Sequence, residues 1–143
     1  MKFRLVGIAA VLALLATACI PGIPILAPKR PPQPASEVAR SAALEPRDGA
    51  GAIVITRDDS LLRTKCTYEV TLDGEVMAGL RTNEYVTLYA DPGARTLRVV
   101  IRPDGNCKPA LAELPLKVVA NATTTIRIVA DTMYDLRIEA TTY

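Results

Sequence analysis

The side chains with the widest chemical range in this chain of 143 residues are three cysteines, at positions 19, 66 and 107. A thiol can act as a nucleophile, a metal ligand, an acyl acceptor or half of a disulfide. The sequence contains no histidine, which removes the usual general base and the commonest metal ligand. Ser-His and Cys-His hydrolases are therefore excluded, because neither nucleophile has a histidine to activate it. We expect no enzyme activity, no metal site and no cofactor.

The first 18 residues have the organisation of an export signal. Met1–Arg4 is short and basic, and residues 5–16 form an apolar run without charge. As a helix this run would be about 18 Å long, which is short of the roughly 30 Å hydrocarbon core of a bilayer. A signal peptide is therefore favoured over a cropped transmembrane helix.

The end of this signal, Leu15-Ala16-Thr17-Ala18-Cys19, resembles the lipobox of bacterial lipoproteins. The resemblance implies that Cys19 becomes a lipidated N-terminus, which attaches the protein to the membrane. The segment departs from the pattern at Ala16, where leucine is commonest, and ordinary secretory cleavage after Ala18 is the alternative. Ile20 in place of aspartate favours the outer membrane of a Gram-negative host, with the domain facing the periplasm.

Cys66 and Cys107 remain once Cys19 is assigned to lipid. A disulfide is the default for two cysteines in an oxidising compartment, so we predict a structural bridge between them. Closing a loop of about 40 residues stabilises a domain by about 4 kcal/mol in the chain-entropy treatment. No C-x-x-C motif indicates a redox-active thiol.

Residues 19–50 read as the lipidated cysteine followed by a proline-rich tether, with prolines at 21, 24, 28, 31, 32, 34 and 46. Such a chain favours extended polyproline II at about 3.1 Å per residue, so thirty residues would reach roughly 90 Å. Within this tether, residues 36–45 predict a short helix that Ser36 caps and Pro46 ends.

Residues 51–143 change to the period-2 alternation of β-strands. Tyr68, Val70 and Leu72 share one predicted face, and the run from Leu97 to Ile101 alternates in the same way. Turn residues recur every 8 to 12 positions and predict tight hairpins at Asp73-Gly74 and Asn121-Ala122. We therefore predict an all-β fold: a small antiparallel β-sandwich of about seven or eight strands.

The stretch from Val70 to Val76, with Asp73-Gly74, leads to Tyr85-Val86-Thr87-Leu88 and then to Asp91-Pro92-Gly93. This layout resembles PEGA-type domains and related β-sandwich modules of bacterial envelope lipoproteins, over residues 52–130. The resemblance implies a surface or interaction domain without catalysis, and it supplies no site residues.

Three further groups of charged or terminal residues have side chains or backbone that could bind a ligand or partner. Asp58-Asp59 has too few oxygen ligands nearby for calcium and reads as a solvated loop. Arg95, Arg98 and Arg102 could mark an exposed basic face that binds phosphate or carboxylate, but the interspersed acidic residues and threonines favour an ordinary solvated face. The tail, residues 131–143, has strand character and could complete the protein's own sandwich or pair with a partner's sheet edge.

After residue 18 the chain carries 15 basic and 15 acidic side chains, and this zero net charge predicts no field that would steer nucleic acid or an anionic membrane surface. We therefore expect a membrane-anchored, non-catalytic structural or protein-interaction module that binds another envelope protein or assembly. The alternative is an inhibitor of a host or competitor enzyme such as lysozyme, in which residues 57–65 would enter the enzyme's cleft.

Overall fold

A computed structural model describes residues 30–59, 63–130 and 136–142. They form an all-β sandwich of two five-stranded sheets, as the sequence predicts. The strands are β1 (Gln33–Pro34), β2 (Glu37–Val38), β3 (Gly51–Arg57), β4 (Tyr68–Leu72), β5 (Glu75–Leu80), β6 (Glu84–Ala90), β7 (Gly93–Ile101), β8 (Leu111–Val118), β9 (Thr123–Val129) and β10 (Arg137–Thr142). A 3₁₀ helix, Ala42–Leu44, lies between β2 and β3.

Sheet A has the strand order β1-β6-β3-β9-β10, and sheet B has the order β2-β5-β4-β7-β8. Six of the eight strand pairs are antiparallel; β3 pairs with β9 and β1 with β6 in parallel. The parallel β3–β9 pair needs no crossover helix, because the chain visits sheet B between the two strands.

The core lies between the sheets and follows the predicted alternation. Leu97, Val99 and Ile101 of β7 are fully buried, and Arg98 between them is exposed. The same alternation buries Ile53 and Ile55 of β3. Each central strand therefore contributes one apolar face to the core and one face to solvent.

The Asp73-Gly74 turn is the hairpin that the sequence predicts. Both residues have positive φ, 51° and 86°, and Leu72 pairs with Glu75 directly across the turn. Two consecutive residues of positive φ characterise the tight turn whose twist matches that of the strands.

The second predicted hairpin, at Asn121-Ala122, is wrong. Asn121 does adopt a positive φ of 57°, and the chain reverses there. However, β8 belongs to sheet B and β9 to sheet A, where β9 pairs with β3 and β10. Turn residues thus located the reversal but not the sheet that the next strand joins.

The proline-rich segment joins the sandwich earlier than predicted. The tether was expected to continue to residue 50, whereas β1 and β2 add to the edges of sheets A and B. Pro34 is tolerated in β1 because an edge strand can leave one side of its backbone unpaired. The helix expected over residues 36–45 is also wrong, since the 3₁₀ helix starts after Ser41, whose hydroxyl accepts a hydrogen bond from the Ala43 amide.

A substitution at Gly51 tests how closely the start of β3 approaches the end of β8. A Cβ at this position would lie 2.5 Å from both Val118 Cγ1 and the Val119 carbonyl oxygen. We expect Gly51→Ala to lower the free energy of unfolding in urea by about 2 kcal/mol, because backbone must shift. Gly49→Ala is the control: it has a positive φ of 76° but open space around it, and we expect a loss of about 1 kcal/mol. Equal losses would contradict the close approach.

Candidate functional site at the disulfide end

One end of the sandwich collects the features that the sequence singled out. The strands β3, β5, β7 and β9 end there, and the strands that follow each of them begin there. The loop that contains Cys66 lies at this end, between β3 and β4. We call it the disulfide end. Among the described residues, its connecting segments are 30–32, 58–59, 63–67, 81–83, 102–110, 130 and 136.

Cys66 and Cys107 are joined in a disulfide, as predicted. Their Cα atoms lie 5.7 Å apart, and the bridge closes a loop across a sequence separation of 41 residues. A turn at Asp104-Gly105-Asn106 positions Cys107, whose amide donates to the Asp104 carbonyl. This bridge stabilises the fold by about 4 kcal/mol through loop closure.

Arg57 is buried, and its guanidinium joins three segments. The side chain is 2% exposed. Its Nη1 donates to the carbonyl oxygens of Cys66 (2.5 Å) and Leu80 (3.1 Å), and its Nη2 donates to that of Arg63 (2.7 Å). These bonds join the end of β3 in sheet A to the start of β4 and the end of β5 in sheet B. Arg57 is therefore a structural link between the two sheets.

The electrostatics of Arg57 follow from this burial. Loss of solvation lowers the pKa of its guanidinium, and the charges of Tyr68 and Glu84 act in the opposite direction. The guanidinium carbon lies 3.7 Å from the centroid of the Tyr68 ring, in a cation–π contact. Sequence reasoning missed this residue, although Ile53, Ile55 and Arg57 share one parity in β3, which was a signal that Arg57 points inward.

A groove of about 380 Å³ runs beside the disulfide. Arg63, Thr64 and Lys65 line one wall, and residues 104–107 line the other. Arg63 has a positive φ of 56°. Its terminal guanidinium nitrogens are covered and find no hydrogen-bond partner within the described part of the chain. The groove thus carries basic side chains, and the described residues leave the terminal nitrogens of one of them, Arg63, without a hydrogen-bond acceptor.

Arg95, Arg98 and Arg102 do not form a basic face, in line with the interspersed acidic residues, because each arginine has an acidic partner. Arg95 pairs with Asp73 at 3.1 Å, and the Arg98 Nε donates to Glu113 at 2.6 Å. Arg102 bridges Glu37 (2.7 Å) and Glu69 (3.0 Å), and the hydrogen bond with Glu37 is the largest cause of its raised pKa. The outer face of sheet B is thereby neutralised by ion pairs.

Asp58 is likewise engaged, since it forms a two-point ion pair with Arg127 that raises the pKa of the arginine. Among the residues that the structure describes, no three metal-ligating side chains come together. Asp58-Asp59 therefore offers no cluster for a cation.

The outer face of sheet A differs from that of sheet B. Side chains there alternate with the buried residues of β6, β3, β9 and β10, and the pairings set them in rows across the sheet. One row contains Thr87, Val54, Thr125 and Thr141. We call this surface the Tyr–Thr face; its uncharged members are Ala52, Val54, Thr56, Tyr85, Thr87, Tyr89, Thr123, Thr125 and Thr141.

The C-terminal strand completes the protein's own sheet. β10 pairs with β9 from Arg137↔Val129 to Thr142↔Thr124 and forms the edge of sheet A. Residues 131–135 and 143 lie outside the described residues, as do the export signal and Cys19. In the segments that are described, no helix is long and apolar enough to cross a membrane.

Comparison of the chain with protein-family models and with curated protein sequences finds no match.

Replacing Arg57 tests its role as the link between the sheets. We expect Arg57→Met to lower the free energy of unfolding by about 3 kcal/mol, because three carbonyl oxygens lose their charged donor. Arg57→Lys is also expected to be destabilising, since an ammonium group lacks the planar fork that reaches all three. Urea unfolding under non-reducing conditions measures both.

The matched control is Arg98→Met, which removes an exposed ion pair on sheet B. We expect it to cost less than about 1 kcal/mol. A comparable loss for Arg57→Met and Arg98→Met would show that the buried guanidinium does not hold the sheets together.

Proposed function

We propose that this protein is a lipid-anchored lipoprotein of the outer membrane that faces the periplasm and acts as a non-catalytic module, binding another envelope protein or assembly. The observation that carries the proposal is the lipobox-like segment ending at Cys19, followed by a sandwich whose two other cysteines are bonded to each other. Disulfides persist in oxidising compartments outside the cytoplasm. The pairing of Cys66 with Cys107 also leaves Cys19 as the one cysteine available for acylation.

The Tyr–Thr face is the surface we assign to the partner. Tyrosine is enriched in protein interfaces, because its ring supplies apolar area and its hydroxyl supplies a hydrogen bond. Tyr85 and Tyr89 provide two such rings on β6, and the threonines provide hydroxyls in rows. The charged residues Arg127 and Glu139 share the row of Thr56 on this face, toward the disulfide end. A partner that covers the remaining rows desolvates no charge, whereas covering sheet B would require burying or breaking its ion pairs.

Acylation of Cys19 is tested by metabolic labelling with palmitate. We expect label in the wild-type chain and none in Cys19→Ser, because the thiol is the acyl acceptor. Cys66→Ser combined with Cys107→Ser is the control, since it removes the other two thiols and should retain the label. Absence of label from the wild type would refute the anchor.

The binding face is tested by photo-crosslinking in intact cells. Thr123 on the Tyr–Thr face and Thr96 on the outer face of sheet B are both exposed. A photoreactive residue at Thr123 should give a discrete crosslinked product, and the same residue at Thr96 should not. Adding Thr125→Arg should abolish the Thr123 product, because the partner would have to bury an unpaired charge.

The opposite pattern, with a product from Thr96 alone, would place the partner on sheet B. Equal products from both positions would indicate non-specific proximity. Either result would contradict the assignment of the Tyr–Thr face.

A further inference from the structure

We propose that the disulfide end itself binds the membrane surface, by contact with the phosphate headgroups of anionic phospholipids. The sandwich would then be held at two points, the acylated Cys19 and this end. The proposal rests on the lipid anchor of the proposed function and adds an orientation and a second lipid contact to it.

The first argument is where the tether enters the sandwich. The Asn83 side-chain amide donates to the carbonyl oxygens of Arg30 (3.3 Å) and Pro31 (3.0 Å), and the Gln33 amide donates to the Asn83 carbonyl. Asn83 lies in the turn between β5 and β6, which is part of the disulfide end. The chain that leads to Cys19 therefore leaves the sandwich at the disulfide end.

The second argument is the length of that chain. Fourteen residue steps separate Cys19 from Gln33, the first residue of β1. Even fully extended they span no more than about 50 Å, against the roughly 90 Å expected for a tether that continued to residue 50. A short connection that enters at one end favours that end as the one closest to the bilayer.

The third argument is the charge difference between the two ends. Arg102 is left out of this comparison because it bridges Glu37 and Glu69. In the described connecting segments of the disulfide end, five other basic side chains accompany three acidic ones, Asp58, Asp59 and Asp104. These basic residues are Arg30, Arg63, Lys65, Arg81 and Lys108.

The opposite end has the reverse balance. Its connecting segments, residues 45–50, 73–74, 91–92 and 119–122, contain the single cation Arg47 and four acidic residues. These are Glu45, Asp48, Asp73 and Asp91, of which Asp73 pairs with Arg95 and Asp91 with Arg47. An anionic bilayer attracts the disulfide end and repels the opposite end, and each basic residue near such a surface contributes about 1 kcal/mol.

The groove beside the disulfide gives this end a place for a headgroup phosphate. Lys65 is exposed on its wall, and Arg63 brings terminal nitrogens that have no hydrogen-bond partner in the described residues. A guanidinium that turns toward the groove gains the acceptor it lacks from a phosphate oxygen. Leu111, 56% exposed at the start of β8, adds an apolar side chain at the same end.

Vesicle binding tests the proposal apart from acylation. The exported chain without residues 1–18 and with Cys19→Ser keeps the tether and the whole sandwich but cannot be lipidated. In a density gradient, we expect it to float with vesicles of phosphatidylethanolamine and phosphatidylglycerol (3:1) and not with phosphatidylcholine vesicles. We expect binding to weaken as sodium chloride is raised from 50 to 300 mM, since salt screens these charges.

Charge reversal then locates the contact. Lys65→Glu combined with Lys108→Glu should weaken binding at least about 25-fold, at roughly fivefold for each residue. Lys117→Glu, exposed near the opposite end, should leave binding within about twofold. Non-reducing urea unfolding verifies that the variants are folded.

Three results would overturn the proposal. They are equal binding to phosphatidylglycerol and phosphatidylcholine vesicles, an equal effect of Lys117→Glu, and saturable binding of inorganic phosphate without vesicle binding, which would indicate a free-anion site. The comparison of the two kinds of vesicle, made with the Cys19→Ser chain and no charge reversal, decides the matter even if a charge-reversal variant fails to fold. Failure of palmitate labelling would refute the anchor and leave vesicle binding as a separate result.

Discussion

The buried guanidinium of Arg57 is the interaction on which the disulfide end depends. A charge removed from water is tolerated only when hydrogen bonds replace its hydration, and here three backbone carbonyls and the face of Tyr68 do so. Two of those carbonyls belong to the sheet B side: Leu80 is the last residue of β5, and Cys66 lies just before β4. The guanidinium therefore sets where Cys66 lies relative to sheet A, and the disulfide extends that constraint to Cys107 and its turn. Leu80 directly precedes the turn in which Asn83 receives the incoming tether.

The all-β fold, the disulfide and one hairpin were predictable from the sequence because each depends on local or pairwise chemistry. Alternation alone determines which side chains of β7 point inward, and two residues of positive φ determine the Asp73-Gly74 turn. The Asn121-Ala122 turn failed as a hairpin because the pairing of β9 with β3 is a contact between segments about seventy residues apart. No local pattern in residues 114–130 encodes that choice.

The candidate site was less predictable for the same reason. Arg98 and Glu113 are cross-strand partners in the β7–β8 register, so an arginine that looks exposed and basic in sequence is paired in the fold. The proline-rich segment was misread because composition indicates an extended chain but not whether a sheet edge accepts it. Arg57 was missed because charged residues are seldom buried, although its parity in β3 was an inward one. In each case the missing information was the identity of a distant neighbour.

The Tyr–Thr face is proposed to bind the partner, and the ion-paired outer face of sheet B is not. The short tether limits how these two faces can be oriented relative to the membrane. The longest strand, β7, has nine residues and is roughly 30 Å long. The strands run between the disulfide end and the opposite end, whose connecting segments are acidic. If the disulfide end rests on the bilayer, the strands stand along the membrane normal and the Tyr–Thr face looks sideways, parallel to the membrane plane. A partner on that face would then stand beside the lipoprotein at the membrane surface, where a lateral assembly can form without the tether having to extend. The acidic end would point away from the bilayer, and its repulsion from anionic lipid would favour this orientation over the inverted one.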